Sequence, residues 1–362
     1  TLWILDRFGH ILGSRRRFEA GLRIHEEILN IYLQRGNEAD PALANAYDGV
    51  GVLLYKLERY GQSVEAHRKA LETYRVGTQG AVDGMWTLRC LVQALGANGQ
   101  AEEARPFAVR LLELRRQVAD AAEMDAYALN AYARELLTVV PADLRDPKLA
   151  LEYAWKAFQV SGEDYHYNRY TLGLTYEALG DLSQGVYWLR RALDDTTIEV
   201  SEARADYEAA LVRMLEALGD REAAENVYRA TLSARRERFP ADHPDVGEAI
   251  DSLGGLLLRH GNYAEAVDLL RESLSIRLGG DAEPDWRTDD AKSMLGAALA
   301  GLGRFEEAGV LADQALSRLI AEGSAPASVI EQARLRVEQV ESLRGAADQA
   351  DRFNGHDEPR HP

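Results

Sequence analysis

The sequence is poor in cysteine, proline and lysine. A single cysteine, Cys90, among 362 residues excludes an intrachain disulfide and fits a reducing compartment, so we expect a cytoplasmic protein. The 10 prolines fall mostly between apolar segments, which is typical of a chain that is largely helical. Only five of the 42 basic residues are lysines, and we associate this arginine bias with GC-rich bacterial coding sequence.

Long apolar runs and a basic charge balance are also missing. No uninterrupted apolar stretch reaches the ~18 residues that a transmembrane helix needs, so we expect no membrane insertion. The formal net charge of −17 repels phosphate backbones and anionic lipids, which excludes general nucleic-acid binding. The chain begins at Thr1 rather than at a methionine, and we interpret it as a piece of a longer polypeptide.

Recognisable catalytic and cofactor motifs are absent from the sequence as well. The eight histidines show no metal-site spacing, and there is no phosphate-binding loop, nucleophile elbow or dinucleotide fingerprint. His25 and His67 lie 42 residues apart, at the same position of a repeat described next, which indicates packing roles. Cys90 has apolar neighbours and is interpreted as buried filler. We therefore predict no catalytic residue, no cofactor and no metal, and expect that this segment is not an enzyme.

What the sequence does contain is a repeat. Gly219, Gly261 and Gly303 follow one another at intervals of 42 residues, and Gly180 lies 39 residues before Gly219. Each glycine separates two segments whose apolar residues recur at helical spacing, which predicts two amphipathic helices per repeat. Eight such units are found, at about 2–35, 42–76, 85–118, 124–160, 165–195, 202–238, 245–278 and 287–321.

The units together predict an all-α, right-handed α-solenoid over residues 1–344. A capping helix is expected at 327–343, with a polar outer face formed by Glu331, Gln332, Arg336 and Gln339, and a polar, partly disordered tail at 345–362. The unit at 124–160 lacks the glycine turn and has a longer connection at 141–147. That departure fits either a hinge or simply a longer turn.

Each recurring feature of a unit has a mechanical reason. The turn glycine allows a left-handed backbone angle after the first helix, and the next residue can cap the second helix, as expected for Asp181, Asp220 and Asn262. Small residues are expected where the two helices cross closely. They include Gly51, Gly173, Gly254 and Gly296 in first helices and Ala104, Ala224, Ala266 and Ala308 in second helices.

This pattern resembles tetratricopeptide repeats. The resemblance is carried by a Gly-x-aromatic-x-x-Ala turn and by first-helix pairs of leucine and glycine, namely Leu172-Gly173, Leu253-Gly254 and Leu295-Gly296. The 42-residue period is longer than the usual ~34 residues and is similar to the kinesin-light-chain variety. The unit at 124–160 is similar to units in repeat tails of large bacterial proteins, including serine/threonine protein kinases.

The resemblance implies that first helices line a concave groove that binds a protein or peptide partner. When the inward-facing positions of such first helices are transferred to this sequence, the resemblance predicts an inward stripe formed by Trp3, Asp6, His10, Asn45, Asp48, Trp86, Arg89, Gln93, Tyr132, Glu135, Tyr167, Tyr170, Asp206, Arg213, Glu248 and Asp251. Aromatic residues and arginine are frequent energetic anchors of interfaces. We hypothesise a groove for an extended or helical peptide that carries apolar and basic groups.

Three functions compete at this point. The leading hypothesis is a monomeric interaction scaffold, the docking region of a larger bacterial signalling protein. The second is a sensor arm like those of ATPase-linked transcription regulators. The third, an enzyme, would require clustered titratable groups, and the sequence offers none with recognisable spacing.

Overall fold

The computed structural model describes residues 18–36, 40–77, 84–121, 125–162, 165–194, 202–279, 285–322 and 325–354. Within these ranges every regular element is helical, which confirms the predicted all-α class. A short 3-10 turn spans Ala142–Leu144. The α-helices, in chain order, are α1 (Phe18–Gln34), α2 (Pro41–Lys56), α3 (Tyr60–Gly77), α4 (Met85–Ala97), α5 (Ala101–Ala121), α6 (Ala126–Thr138), α7 (Pro147–Ser161), α8 (His166–Ala178), α9 (Leu182–Leu193), α10 (Glu202–Ala217), α11 (Arg221–Arg238), α12 (Pro244–His260), α13 (Tyr263–Gly279), α14 (Trp286–Gly301), α15 (Phe305–Glu322) and α16 (Ala327–Asn354).

The chain divides into two compact units, Thr1–Leu218 and Gly219–Pro362. In the first, α2 pairs with α3, α4 with α5, α6 with α7 and α8 with α9, and each hairpin packs on the next. In the second, α12 pairs with α13 and α14 with α15, and α16 packs on the last pair. Serial packing of helical hairpins is the construction of an α-solenoid.

The predicted turns are confirmed. The glycines that follow five first helices all have left-handed φ angles between 76° and 83°, at Gly99, Gly180, Gly219, Gly261 and Gly303. Asp181 and Asp220 cap the second helices by accepting backbone N–H bonds of 3.1 Å. Asn262 behaves differently, because its amide group donates to the Glu265 side chain at 3.2 Å.

Small residues do stand at the closest helix crossings. A Cβ added to Gly173 would lie 2.8 Å from the Leu189 side chain, and one added to Gly296 would lie 2.9 Å from a backbone carbonyl of α15. The rings of His25 and His67 are buried against Gly49 and Gly51. Both histidines are therefore packing residues, as the sequence predicts.

The divergent unit at 124–160 is an ordinary hairpin with a longer turn. Between α6 and α7, the Arg145 side chain donates to the Val139 carbonyl at 2.9 Å. The Asp146 backbone N–H reaches back to the Leu136 carbonyl, and its carboxylate caps α7. These bonds fix the connection at both ends, so the turn is a structured extension of the hairpin.

Ion pairs join second helices of consecutive repeats. Arg229 pairs with Glu265 at 3.0 Å, and the same pair recurs 42 residues later as Arg271 with Glu307 at 3.1 Å. All four side chains are partly exposed, so each pair contributes at most about 1 kcal/mol. The recurrence of the pair after 42 residues shows that these neighbouring repeats pack in the same register.

The last helix departs from its expected form. It continues to Asn354, beyond the predicted end at 343, and it buries Ala333 and Val340. Arg336 was expected on the polar outer face, but its guanidinium donates to Asp290 and Ser293, both at 2.6 Å. The half-buried aspartate draws this arginine inward. Residues 355–362 lie outside the described residues.

Replacing Gly296 by alanine tests the crossing in α14. We expect Gly296→Ala to destabilise the protein by about 1–3 kcal/mol, because the new methyl group meets backbone atoms that cannot easily move. Chemical denaturation followed by circular dichroism measures the change. Gly309→Ala on α15 is the matched control, since nothing lies within 4 Å of its added Cβ, and higher helix propensity should stabilise it slightly. Equal effects of the two variants would contradict the proposed crossing.

Candidate functional site

A pocket of about 400 Å³ opens within the first compact unit. Its walls come from first helices of three consecutive repeats, α4, α6 and the start of α8, with one side chain from α5. It is lined by Arg89, Gln93, Arg115, Tyr127, Asn130, Ala131, Arg134, Glu135, Thr138, Tyr165, Tyr167 and Asn168. Four of the residues predicted from the sequence therefore meet in one place, namely Arg89, Gln93, Glu135 and Tyr167.

The repeat register explains the convergence. Trp86, Tyr127 and Tyr167 are 41 and 40 residues apart, so they occupy one position in three successive first helices. Their side chains are 53%, 73% and 42% exposed, respectively, which is high for large aromatic residues. We call these three residues the aromatic stripe. It lies at and beside the pocket, and the Arg89 guanidinium sits 5.4 Å from the Trp86 ring centroid.

The charges in the pocket are unbalanced. Three arginines, Arg89, Arg115 and Arg134, surround the single carboxylate of Glu135, which is 4% exposed. Burial raises the pKa of Glu135 above its usual range, and the positive charges of the three arginines oppose that rise. The pocket is thus a basic site in a chain whose net charge is −17.

Two buried polar groups of the pocket are unsatisfied. The side-chain oxygen of Asn130, a residue that is 7% exposed, has no hydrogen-bond partner among the described residues. The Nε atom of Arg115 likewise lacks one within the described part of the chain. Asn168 on the opposite wall is different, because its amide donates to Ser161 at 2.7 Å and to the Ala157 carbonyl. Buried polar groups are normally paired, so this acceptor and this donor are both available to a bound ligand.

The wall formed by α8 is stiffened by an aromatic stack. The rings of Tyr170 and Tyr207 are parallel with centroids 4.0 Å apart, and the Tyr207 hydroxyl lies 2.9 Å from a ring nitrogen of His166. The Arg134 guanidinium covers the Tyr170 ring at 5.7 Å. Tyr170 therefore positions an arginine of the pocket without lining the pocket itself.

Two predicted groove residues are in the core instead. Asp48 is buried, and its carboxylate accepts hydrogen bonds from the Thr87 hydroxyl and from a ring nitrogen of His67 at 2.8 Å. Tyr132 is buried and packs edge-on against Tyr153. The hydrogen bonds of Asp48 connect α2 to α3 and α4. Because Asp48 and Tyr132 are both buried, neither side chain is accessible to a ligand.

The remaining predicted residues lie elsewhere. Asn45 is exposed and accepts a hydrogen bond from Tyr74, and Asp206 is exposed on α10. Arg213 makes a two-pronged pair with Glu177 at 2.8 Å. Trp3, Asp6 and His10 lie outside the described residues.

Glu248 and Asp251 belong to the second compact unit. Glu248 is exposed, 3.7 Å from Arg287. Asp251 is largely buried and accepts hydrogen bonds from Ser273 and Arg277. Burial raises its pKa, although Arg277 and Ser273 act in the opposite direction. It lines a second, more polar pocket of about 560 Å³ with residues of α14 and α16.

The other eight pocket residues were missed from the sequence, namely Arg115, Tyr127, Asn130, Ala131, Arg134, Thr138, Tyr165 and Asn168. The repeat carried the signal for three of them, because Tyr127, Asn130 and Arg134 lie 41 residues after the predicted Trp86, Arg89 and Gln93, respectively. Arg115 comes from a second helix, so no rule based on first helices would find it.

Metal-binding clusters and membrane-spanning helices are both absent from the described ranges. No three histidine, cysteine or acidic side chains there are placed to hold a metal ion. No helix in the same residues is long and apolar enough to span a membrane.

Comparison with known proteins supports the repeat assignment. The family model for the tetratricopeptide repeat matches residues 1–75 and 201–278. That match confirms the resemblance inferred from the sequence over these two stretches. No curated protein matches the chain.

Several solved structures are similar at low identity. One described as kinesin-light-chain TPR-like repeats from Podosopora anserina is 16% identical, with a TM-score of 0.36, and covers 52% of this chain and 98% of its own. BtubC (BKLC) from P. vanneervenii is 16% identical, with a TM-score of 0.34. The match covers 84% of this chain and 94% of that structure's chain. A thermophilic TPR protein of Thermus thermophilus is 18% identical, with a TM-score of 0.37. The match covers 53% of this chain and 91% of that structure's chain. Likeness at this level says nothing of what the chain binds.

Asp48→Asn tests the core role of this predicted groove residue. We expect a loss of about 1–3 kcal/mol, because the amide cannot accept both hydrogen bonds that the carboxylate accepts. Denaturant unfolding measures it. Asp206→Asn, on the exposed side of α10, serves as control and should leave stability unchanged. A stable Asp48→Asn variant would show that the network adds nothing to folding.

Proposed function

We propose that this chain, which contains tetratricopeptide repeats, is a protein-interaction scaffold that holds a peptide segment of a partner protein in the pocket between α4, α6 and α8. The observation that carries the proposal is the pair of unsatisfied groups inside that pocket, the Asn130 oxygen and the Arg115 Nε. A peptide backbone offers an N–H donor to the first and a carbonyl or carboxylate acceptor to the second.

The size of the pocket suits a peptide anchor. About 400 Å³ falls within the ~300–1,000 Å³ typical of ligand sites and holds a few side chains rather than a domain. The aromatic stripe extends the surface across successive repeats, so an extended segment can continue from the pocket along it. Exposed tyrosine and tryptophan faces suit apolar, aromatic or prolyl side chains of such a segment.

The charge of the pocket favours an acidic segment. Three arginines face one carboxylate, and arginine binds carboxylates through paired N–H groups. This choice replaces the apolar and basic peptide hypothesised from the sequence, since that hypothesis weighed acidic residues on α10 and α12 that do not line the pocket. The proposed partner therefore presents aspartate or glutamate next to an apolar side chain.

We also propose a biological setting for the scaffold. We place the scaffold in the cytoplasm, as the docking region of a larger bacterial signalling protein, where it acts as a monomer that recruits partners. The single cysteine and the arginine-rich composition support this setting.

Three labelled decapeptides test the proposal. The first contains four aspartates and two phenylalanines among glycine and serine; its twins carry asparagine or lysine in place of aspartate. Fluorescence anisotropy at low salt should show that the aspartate peptide binds, that the asparagine twin binds at least about tenfold more weakly, and that the lysine twin does not bind.

Variants locate the binding. Arg134→Ala and Asn130→Ala should each weaken the aspartate peptide about tenfold, because each removes a polar group of the pocket. Arg213→Ala is the matched control, an arginine of the same compact unit that pairs with Glu177 outside the pocket. Stronger binding of the lysine twin, or equal effects of Arg134→Ala and Arg213→Ala, would refute the proposal.

A further inference from the structure

Glu135 stands where its charge does not suit the proposed ligand. It lies on α6, nearly fully buried, and faces arginines from two other helices. Its Oε2 atom is 4.0 Å from the Arg89 Nε atom on α4 and 3.7 Å from the Arg115 Nε atom on α5. A carboxylate buried this deeply must be offset by opposite charge, and these two arginines supply it.

The two ion pairs are long. Charge-assisted hydrogen bonds between guanidinium and carboxylate are about 2.7–2.9 Å, and neither pair comes near that range. The Arg115 Nε atom remains without a hydrogen-bond partner among the described residues. Glu135 thus neutralises the arginines by charge while leaving a guanidinium donor unused.

A ligand carboxylate that enters the pocket meets the same two arginines. It gains their attraction and the unused Arg115 donor, and it also meets the negative charge of Glu135. Two carboxylates that share one site disfavour each other's ionised form. The ionised Glu135 therefore opposes the ligand that the arginines favour.

We propose that Glu135 is an internal counter-ion that neutralises the charge of Arg89 and Arg115 and so limits the affinity of the pocket for acidic partners until it takes up a proton. This inference rests on the proposed function, since it concerns the same pocket and the same class of ligand. It assigns Glu135 a specificity-determining role.

The direction of the pH dependence follows. Burial raises the pKa of Glu135 above its usual range, while the aspartates of a flexible peptide keep their ordinary values near ~3.9. As the pH falls through the raised value, Glu135 becomes neutral first and the ligand stays charged. Affinity for the aspartate peptide should therefore rise as the pH is lowered.

Other titratable and charged groups surround Glu135. Arg89 on α4, Arg115 on α5 and Arg134 on α6 stay positive throughout this range. Cys90 on α4 stays neutral, because burial raises its pKa to about 12. His166 also lies near the pocket wall, where its ring is 4.1 Å from that of Tyr167.

Glu135→Gln separates these contributions. At pH 7.5 we expect this variant to bind the aspartate decapeptide about tenfold more tightly than wild type, and to show little of the tightening that wild type shows on acidification. The asparagine twin should gain nothing. Glu177→Gln is the matched control, a carboxylate that pairs with Arg213 outside the pocket, and it should behave as wild type.

The outcomes separate the two proposals. If wild type prefers the aspartate peptide but Glu135→Gln binds that peptide no more tightly than wild type does, Glu135 has only a structural role and the counter-ion role is wrong. If wild type does not distinguish the aspartate peptide from its asparagine twin at any pH, the proposed function itself fails.

A second measurement covers the case in which Glu135→Gln does not fold. His166→Ala removes the histidine beside the pocket while Glu135 remains. Tightening on acidification that persists in His166→Ala supports the counter-ion role, and a flat profile in that variant overturns it.

Discussion

Two helices of one repeat can lie close together only where one of them has almost no side chain. Gly173 and Gly296 mark such crossings, where even a methyl group would touch the neighbouring helix. Because left-handed glycines end the first helices at matching points, the crossings recur at nearly constant intervals along the chain. This constraint sets the register of the repeats that have a turn glycine, and the surface features follow from it.

The constant register places equivalent residues of successive repeats next to one another on the surface. Residues about 41 positions apart come to lie side by side on successive first helices, which is how Trp86, Tyr127 and Tyr167 form one aromatic stripe. The same offset sets Arg89 beside Asn130 in the pocket. This pocket is not contained in a single repeat, since its walls come from three stacked repeats. Its arginines then stand out against a strongly acidic chain.

Much of the fold could be predicted from the sequence, because its signals are local. Glycine after an apolar periodic segment indicates a turn, and small residues at fixed offsets indicate a crossing. The candidate site was harder to predict, since exposure depends on neighbours. Asp48 and Arg89 occupy equivalent repeat positions, yet Thr87 and His67 bury the aspartate while the arginine lines a pocket. Likewise, no periodicity reveals that the Asn130 oxygen lacks a partner among the described residues or that Arg336 turns inward.

The central claim is that a peptide binds across α4, α6 and α8. Hydrogen–deuterium exchange of the full chain, with and without a saturating concentration of the aspartate decapeptide, tests it most directly. The account predicts slower exchange in the segments 85–97, 126–138 and 165–178, and no change in the second compact unit, Gly219–Pro362. Protection that is confined to Gly219–Pro362, or that is absent from all three segments while the peptide is bound, would contradict it.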